Sequence, residues 1–198
     1  GGDSYGGGDQ IDSKKHTAWF YGNQDIKVCY QLTTNFGISA ATVESDFKKA
    51  VETWKNYLLS KKVGTQLPKE KQINTSFNLQ SQCQGGEDLV LYLGTGPIFG
   101  NLRDLRARQL MYRPSAYVNK THISTDLKWS KGYILFSGPE AYQFDETTYF
   151  PVWTKGNAFY NILLHEVGHI LGFLHAPDTI MKKTISFENF MGSEAYKI

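Results

Sequence analysis

Residues 165–175 read "HEVGHILGFLH" and hold three of the five histidines of this 198-residue chain. On an α-helix, residues four apart project from the same side, so His165 and His169 would point together. His175 would lie about 15 Å beyond His165 on a continued helix and could not join them. Gly172 can end the helix, because a residue without a Cβ adopts a positive φ at little cost. We therefore predict that the chain turns at Gly172 and that the three imidazoles converge.

Three converging imidazoles suit a zinc ion, which takes nitrogen donors at about 2.0 Å and keeps one position open in catalytic sites. Glu166 lies about 100° around the helix from His165, where its carboxylate can act on water without binding the metal. Such a carboxylate is a general base for peptide hydrolysis. The alternatives are two ordinary core histidines or a purely structural zinc, and five specified residues at this spacing favour catalysis.

Length and composition are those of one globular domain. A chain of this size buries one sizeable core, and 40% hydrophobic with 20% charged residues is ordinary for such domains. A net charge of +2 with scattered lysines gives no basis for a nucleic-acid or anionic-membrane partner. No apolar run approaches the roughly 18 residues of a transmembrane helix. We expect a monomer without nucleic acid and without a transmembrane segment.

The first half of the chain shows strand patterns around one helix. In residues 42–59, apolar positions recur at intervals of three and four, which predicts an amphipathic helix with Thr42 or Ser39 as its N-cap. Alternating or continuous apolar runs predict three strands, at 25–32 ("DIKVCYQL"), 73–79 and 87–94. This order indicates a sheet backed by a helix.

In the second half, two further strands are predicted at 108–114 ("RQLMYRP") and 121–125 ("THIST"). Residues 128–155 are expected to form a strand at "GYILF" and then an ordered loop. After Gly156 the spacing becomes helical again, with Asn157 as the expected cap. This second helix carries the histidine motif.

The cysteines and the amino terminus bear on the compartment. Cys29 and Cys83 form either a disulfide or two buried thiols, and the sequence favours the disulfide. Residues 1–15, which begin "GGDSYGGGDQ", are expected to be a flexible glycine-rich leader. It resembles the tether that follows the lipidated cysteine of bacterial lipoproteins, with an ordinary disordered end or a cloning remnant as the alternative. We therefore expect a bacterial protein that is secreted, periplasmic or lipid-anchored at the cell surface.

The motif resembles a known family. His165, Glu166, His169, Gly172 and His175 reproduce the HExxHxxGxxH signature of the metzincin metallopeptidases. The resemblance implies one catalytic zinc ion with the three histidines as ligands and Glu166 as the base. It also implies an α+β fold with a twisted, mostly parallel sheet, an antiparallel edge strand, a backing helix and an active-site helix.

Further residues resemble the matrixin-like branch of that family. Met181, in "APDTIM", stands where the Met-turn methionine is expected beneath the zinc, although an ordinary core or loop methionine is the alternative. Residues 25–32 resemble the first strand of that branch, 42–59 its first long helix, and 121–129 its fifth strand and exit. Only the zinc motif is specific.

The departures from the family pattern limit these expectations. His122 matches a ligand of a second, structural zinc, but its partner histidines are missing, so no structural zinc is expected; nothing bears on calcium. No tyrosine follows Met181, which disfavours the astacin-like and serralysin-like branches. Few residues follow Met181, so a single catalytic domain over 16–198 should divide into an upper part, 16–172, and a small lower part, 173–198.

These features predict a zinc-dependent endopeptidase. The family resemblance implies an extended polypeptide substrate along the edge strand, which by element order would be 108–114. One alternative is a metzincin-like module that holds zinc for binding or adhesion without activity, and retention of Glu166 disfavours it. Another is a zinc peptidase that cleaves cell-wall peptides.

Overall fold

The described part of the chain comprises seven strands and two helices. The structure is a computed structural model that describes residues 7–11, 19–20, 25–61, 76–94, 116–126, 129–136, 153–154, 156–175 and 180–182. In chain order the elements are β1 Gly7–Ile11, β2 Asp25–Leu32, α1 Ala40–Lys61, β3 Ser76–Gln80, β4 Leu89–Leu93, β5 Ala116–Ile123, β6 Ser130–Phe136, α2 Ala158–Ile170 and β7 Phe173–Leu174. Neither of these helices has a stretch both long and apolar enough to cross a lipid bilayer.

Five strands form a mixed sheet in the order β3-β2-β4-β6-β5. The pairs β2–β3, β2–β4 and β4–β6 are parallel, whereas β5 runs antiparallel to β6 at one edge. Strand β6 is apolar on both faces, with Ile134, Leu135 and Phe136 fully buried, as expected of a strand inside a covered sheet. The mostly parallel sheet with an antiparallel edge strand agrees with the α+β fold predicted from the sequence.

The strand predicted at residues 121–125 is confirmed for its first three residues, and the strand begins earlier than predicted, at Ala116. These residues form the end of β5, which lies at the edge of the sheet. The next strand along the chain, β6, contains "GYILF" and lies inside the sheet between β4 and β5. After β5, Ser124 exchanges hydrogen bonds with Trp129: the Ser124 N–H donates to the Trp129 carbonyl, and the Trp129 N–H donates to Ser124 Oγ. Residues 124–126 are therefore not part of the strand, although the sequence predicted it to extend to residue 125. Residues 108–114 lie outside the described residues.

Helix α1 buries the predicted apolar stripe. It begins at Ala40, and the Thr42 N–H donates to Ser39 Oγ at 3.2 Å, so Ser39 is the N-cap. The buried positions are Val43, Phe47, Ala50, Val51, Trp54 and Leu58. They join residues of the sheet and of α2 in one hydrophobic core.

A disulfide between Cys29 and Cys83 joins β2 to the segment that follows β3. Cys29 is fully buried in β2, so the bridge anchors that segment to an interior strand of the sheet. The disulfide is the pairing that the sequence favoured over two free thiols.

Part of the expected flexible leader is a strand. Within residues 1–15, β1 (Gly7–Ile11) pairs antiparallel with β7, with Gly7 opposite Leu174 and Ile11 opposite Phe173. The register shifts between these two pairs. Glycine-rich chain can pair in this way because the ladder is made of backbone groups, which every residue except proline supplies in full.

Candidate metal centre

Helix α2 carries the first two histidines through the core. All thirteen of its residues are buried, including the polar Asn161, His165, Glu166 and His169. Asn157 occupies the predicted N-cap position, but its side chain makes no capping hydrogen bond. Its backbone carbonyl instead accepts the N–H of Asn161 at 2.8 Å, which is the first intrahelical bond.

The helix ends where the histidine spacing requires it to end. Ile170 is its last residue, and Gly172 has a φ of 99°, as predicted for the turn. The Gly172 N–H donates to the His169 carbonyl at 3.0 Å, which satisfies one of the free carbonyls at the helix end. The chain therefore reverses, and His175 returns toward His169.

The three imidazoles meet at one place. His169 Nε2 lies 3.1 Å from His165 Nε2 and 3.2 Å from His175 Nε2. The three ligand atoms are all within 4.8 Å of one another, with His165 and His169 buried and His175 partly buried. His175 is thus the one ring of the three that is partly exposed to solvent.

Backbone carbonyls set the orientation of two of the rings. His165 Nδ1 lies 2.6 Å from the Ile180 carbonyl oxygen, and His169 Nδ1 lies 2.9 Å from the Phe173 carbonyl oxygen. A carbonyl oxygen can only accept, so each Nδ1 carries the proton and each Nε2 presents a lone pair. Metal-binding histidines are commonly held in this tautomer by such acceptors.

Burial keeps these two rings neutral. It lowers the pKa of His165 and of His169 well below the ordinary histidine value, so both are unprotonated at pH 7. Neutral rings whose Nε2 lone pairs face each other at 3.1 Å repel, and a cation between them turns that repulsion into attraction.

The nitrogen spacing fits a metal with short bonds to nitrogen. Bonds of about 2.0 Å arranged as a tetrahedron separate the donor atoms by about 3.3 Å. The separations of His169 Nε2 from His165 Nε2 and from His175 Nε2, 3.1 and 3.2 Å, are close to this value. Imidazole nitrogen is a preferred donor for zinc and also suits copper, nickel and iron.

Glu166 lies in the same buried part of α2, one residue after His165. Burial raises the pKa of its carboxyl group to about 7. A carboxyl group with a pKa near neutrality can both accept and release a proton at physiological pH, which an exposed glutamate does poorly.

Met181 is fully buried against α2. A β-carbon added at Gly168 would lie 2.6 Å from Met181 Sδ, so the two segments are in close contact. Ile180, whose carbonyl orients His165, directly precedes Met181. Packing of Met181 on the helix therefore places that carbonyl.

His122 is not part of the cluster. It lies exposed on β5, with its ring 5.2 Å from that of Trp129. In the described ranges, the group of side chains that could hold a metal ion consists of His165, His169 and His175.

Three residues that shape the centre were not predicted as site residues: Trp54, Gly168 and Phe173. A glycine inside a helix costs up to about 1 kcal/mol relative to alanine, so Gly168 was a sequence signal for close packing at that position. Trp54 and Phe173 carry no such signal, because an apolar residue in a periodic pattern shows only that it is buried.

A comparison with models of known protein families gave no match, and neither did a comparison with curated protein sequences. The chain thus has a mixed sheet, a disulfide and a cluster of three histidines that could hold a metal ion. These features are the basis for the function proposed next.

Proposed function

We propose that the protein is a zinc-dependent endopeptidase of the metzincin type, close to the matrixin-like branch. The observation that carries the proposal is the convergence of the three histidine ligand atoms. Glu166, the residue after His165 on α2, is fully buried. His165, His169 and His175 would hold the ion, and the chemistry that bound zinc supplies is Lewis-acid activation of water and of a carbonyl group.

Glu166 is the proposed general base. Its carboxylate accepts a proton from the attacking water and later delivers the same proton to the amine that leaves. The bond broken is the peptide C–N bond, and the bond formed joins the water oxygen to the carbonyl carbon. The raised pKa of Glu166 supports this role, because a base that must also act as an acid works best near the pH of the reaction.

The substrate is proposed to be an extended polypeptide on the outer edge of β5. Among the described strands, β5 pairs with β6 alone, so its other edge has backbone groups to offer to an added strand. Strand β5 also packs against α2, which carries two of the histidines. The sequence predicted this role for residues 108–114, which lie outside the described residues; among the described strands we propose Ala116–Ile123 for it.

The disulfide supports a location outside the cytoplasm. Stable disulfides form in oxidising compartments and are rare in the cytosol. We therefore propose that the protein is exported.

Cleavage of a proteome-derived peptide library, with and without a zinc chelator, tests this function. Wild-type protein should cleave extended peptides, the chelator should stop cleavage, and added zinc should restore it. Glu166→Ala should bind zinc as the wild type does but lose hydrolysis, because the base is not a ligand. Glu52→Gln, at an exposed glutamate of α1, is the control and should cleave normally.

Two outcomes would contradict the proposal. Cleavage by Glu166→Ala at a rate near that of the wild type would remove the base from the mechanism. Zinc binding without cleavage of any peptide would favour the binding or adhesion module, and digestion of purified cell-wall sacculi in place of protein would favour a cell-wall peptidase.

A further inference from the structure

We propose that Trp54, on α1, is a positioning residue of the metal centre. Its indole packs between the helical turn that carries His165 and His169 and the residue whose carbonyl orients His169. The inference rests on the proposed zinc site. It assigns part of the metal affinity of that site to Trp54, which lies 110 residues before its hydrogen-bond partner, Leu164.

The first contact is a hydrogen bond to the backbone of α2. Trp54 Nε1–H donates to the Leu164 carbonyl oxygen at 2.7 Å in a buried environment. In an α-helix that carbonyl also accepts the N–H of residue 168, so it makes two bonds at once. The indole therefore ties α1 to the turn of α2 that begins immediately before His165.

The absence of a side chain at Gly168 makes this approach possible. A β-carbon there would lie 2.6 Å from Trp54 Cζ2 and 2.6 Å from Met181 Sδ. The indole and the methionine side chain thus both pack against α2 at Gly168, between His165 and His169. Because Ile180 precedes Met181, this packing also helps to position the Ile180 carbonyl, which accepts the His165 Nδ1–H.

The second contact is with Phe173. The rings of Trp54 and Phe173 are stacked, with centroids 4.4 Å apart and planes 27° apart, and both side chains are buried. The Phe173 carbonyl accepts the Nδ1–H of His169. One indole therefore contacts the backbone before the first histidine and the residue that orients the second.

The alternative is that Trp54 merely fills the core. A core residue affects stability, whereas a positioning residue also affects how well the folded protein binds metal. Trp153 is a matched control, because it too is buried and stacks on an aromatic ring, that of Phe36, with centroids 6.0 Å apart.

The experiment measures zinc affinity by competition with a chromophoric chelator, on protein shown to be folded by circular dichroism. The variants are Trp54→Phe, Trp54→Leu, Trp153→Phe and Trp153→Leu. Loss of groups that orient metal ligands typically weakens metal binding about 10- to 100-fold, and Trp54→Leu should fall in that range. Trp54→Phe retains a ring opposite Phe173 but lacks the N–H, so its loss should be smaller. Both Trp153 variants should lower Tm and leave the zinc Kd unchanged.

The visible absorption spectrum of the cobalt-substituted protein gives a second readout, because it depends on ligand geometry and not on stability. It should change in the Trp54 variants and stay unchanged in the Trp153 variants. If Trp54→Leu does not fold, the comparison of Trp54→Phe with Trp153→Phe decides. Equal zinc Kd values and equal cobalt spectra in those two variants would overturn the inference and leave the proposed function intact. A wild-type protein that binds no zinc would overturn both.

Discussion

Gly168 and Met181 are in such close contact that a β-carbon on Gly168 would lie 2.6 Å from Met181 Sδ. The same added atom would lie 2.6 Å from Trp54 Cζ2. The methionine side chain is flexible and can move, but the indole is held by its bond to Leu164 and cannot easily do so. The face of α2 at residue 168 therefore has no room for a larger residue.

Gly168→Ala should consequently lower stability, although alanine is the better helix former. The sequence alone suggests a mild effect unless packing is tight, with up to about 1 kcal/mol gained from helix propensity. Overpacking of the core costs about 1 to 3 kcal/mol of stability, which should exceed the gain from helix propensity. Thermal unfolding and zinc titration would measure it. Gly86→Ala, whose added β-carbon meets no atom within 4 Å, is the control for zinc affinity, which it should leave unchanged. Its φ of 82° strains any residue with a β-carbon, so its Tm should fall for that separate reason. A Gly168→Ala protein as stable as the parent would contradict the packing described.

Gly172→Val should weaken zinc binding and abolish activity, although residue 172 is not a ligand. Its φ of 99° is costly for any residue with a β-carbon, roughly 1 to 2 kcal/mol, and a rearranged turn would carry His175 away from the other two histidines. Gly37→Val is matched for conformation, with a φ of 95°, and should lower Tm without changing the zinc Kd. Zinc affinity equal to that of the parent in Gly172→Val would exclude His175 as the third ligand.

The disulfide should be detectable by mass and should stabilise the fold. Without reductant, the intact chain should weigh two hydrogen atoms less than the free-thiol form, and digestion should yield a linked peptide containing Cys29 and Cys83. With a sequence separation of 54 between the cysteines, closing the loop stabilises the folded state by roughly 4 kcal/mol in the chain-entropy description. Denaturant unfolding of the Cys29→Ala/Cys83→Ala double variant would measure the loss, and two free thiols in native protein would reverse the argument for export.

Lys120, on edge strand β5, should make the free energy of unfolding depend on pH in the alkaline range. Burial lowers its pKa from 10.5 to about 8, so between these values the folded state binds fewer protons at this residue than the unfolded state. Its contribution to the free energy of unfolding therefore increases as pH rises from about 8 to about 10.5 and is lost as pH falls through that range. The free energy of unfolding of the wild type minus that of Lys120→Met, measured at each pH, isolates the contribution of Lys120. Tyrosines, which titrate in a similar pH range, contribute to both proteins and cancel in the difference. A difference that stays constant across this range would show that Lys120 titrates normally.

The sequence by itself determined the local features of this protein. The three- and four-residue spacing of apolar positions specified both helices, and alternation specified β2, because side-chain direction along a helix or strand depends only on position. For the same reason the spacing of His165, His169 and His175 around Gly172 was enough to predict that the rings converge. These properties are set within a few residues of chain.

Only the tertiary structure decided which distant groups meet. It placed β5 at the edge of the sheet and β6 inside it, an order that depends on pairing between segments far apart in sequence. It also brought the Ile180 carbonyl to His165 and the Trp54 indole to Leu164. A buried backbone carbonyl or an apolar side chain has many possible partners of equal chemistry, and the packing of the whole core selects among them, so local periodicity identifies the metal-binding side chains but not the residues that hold them in place.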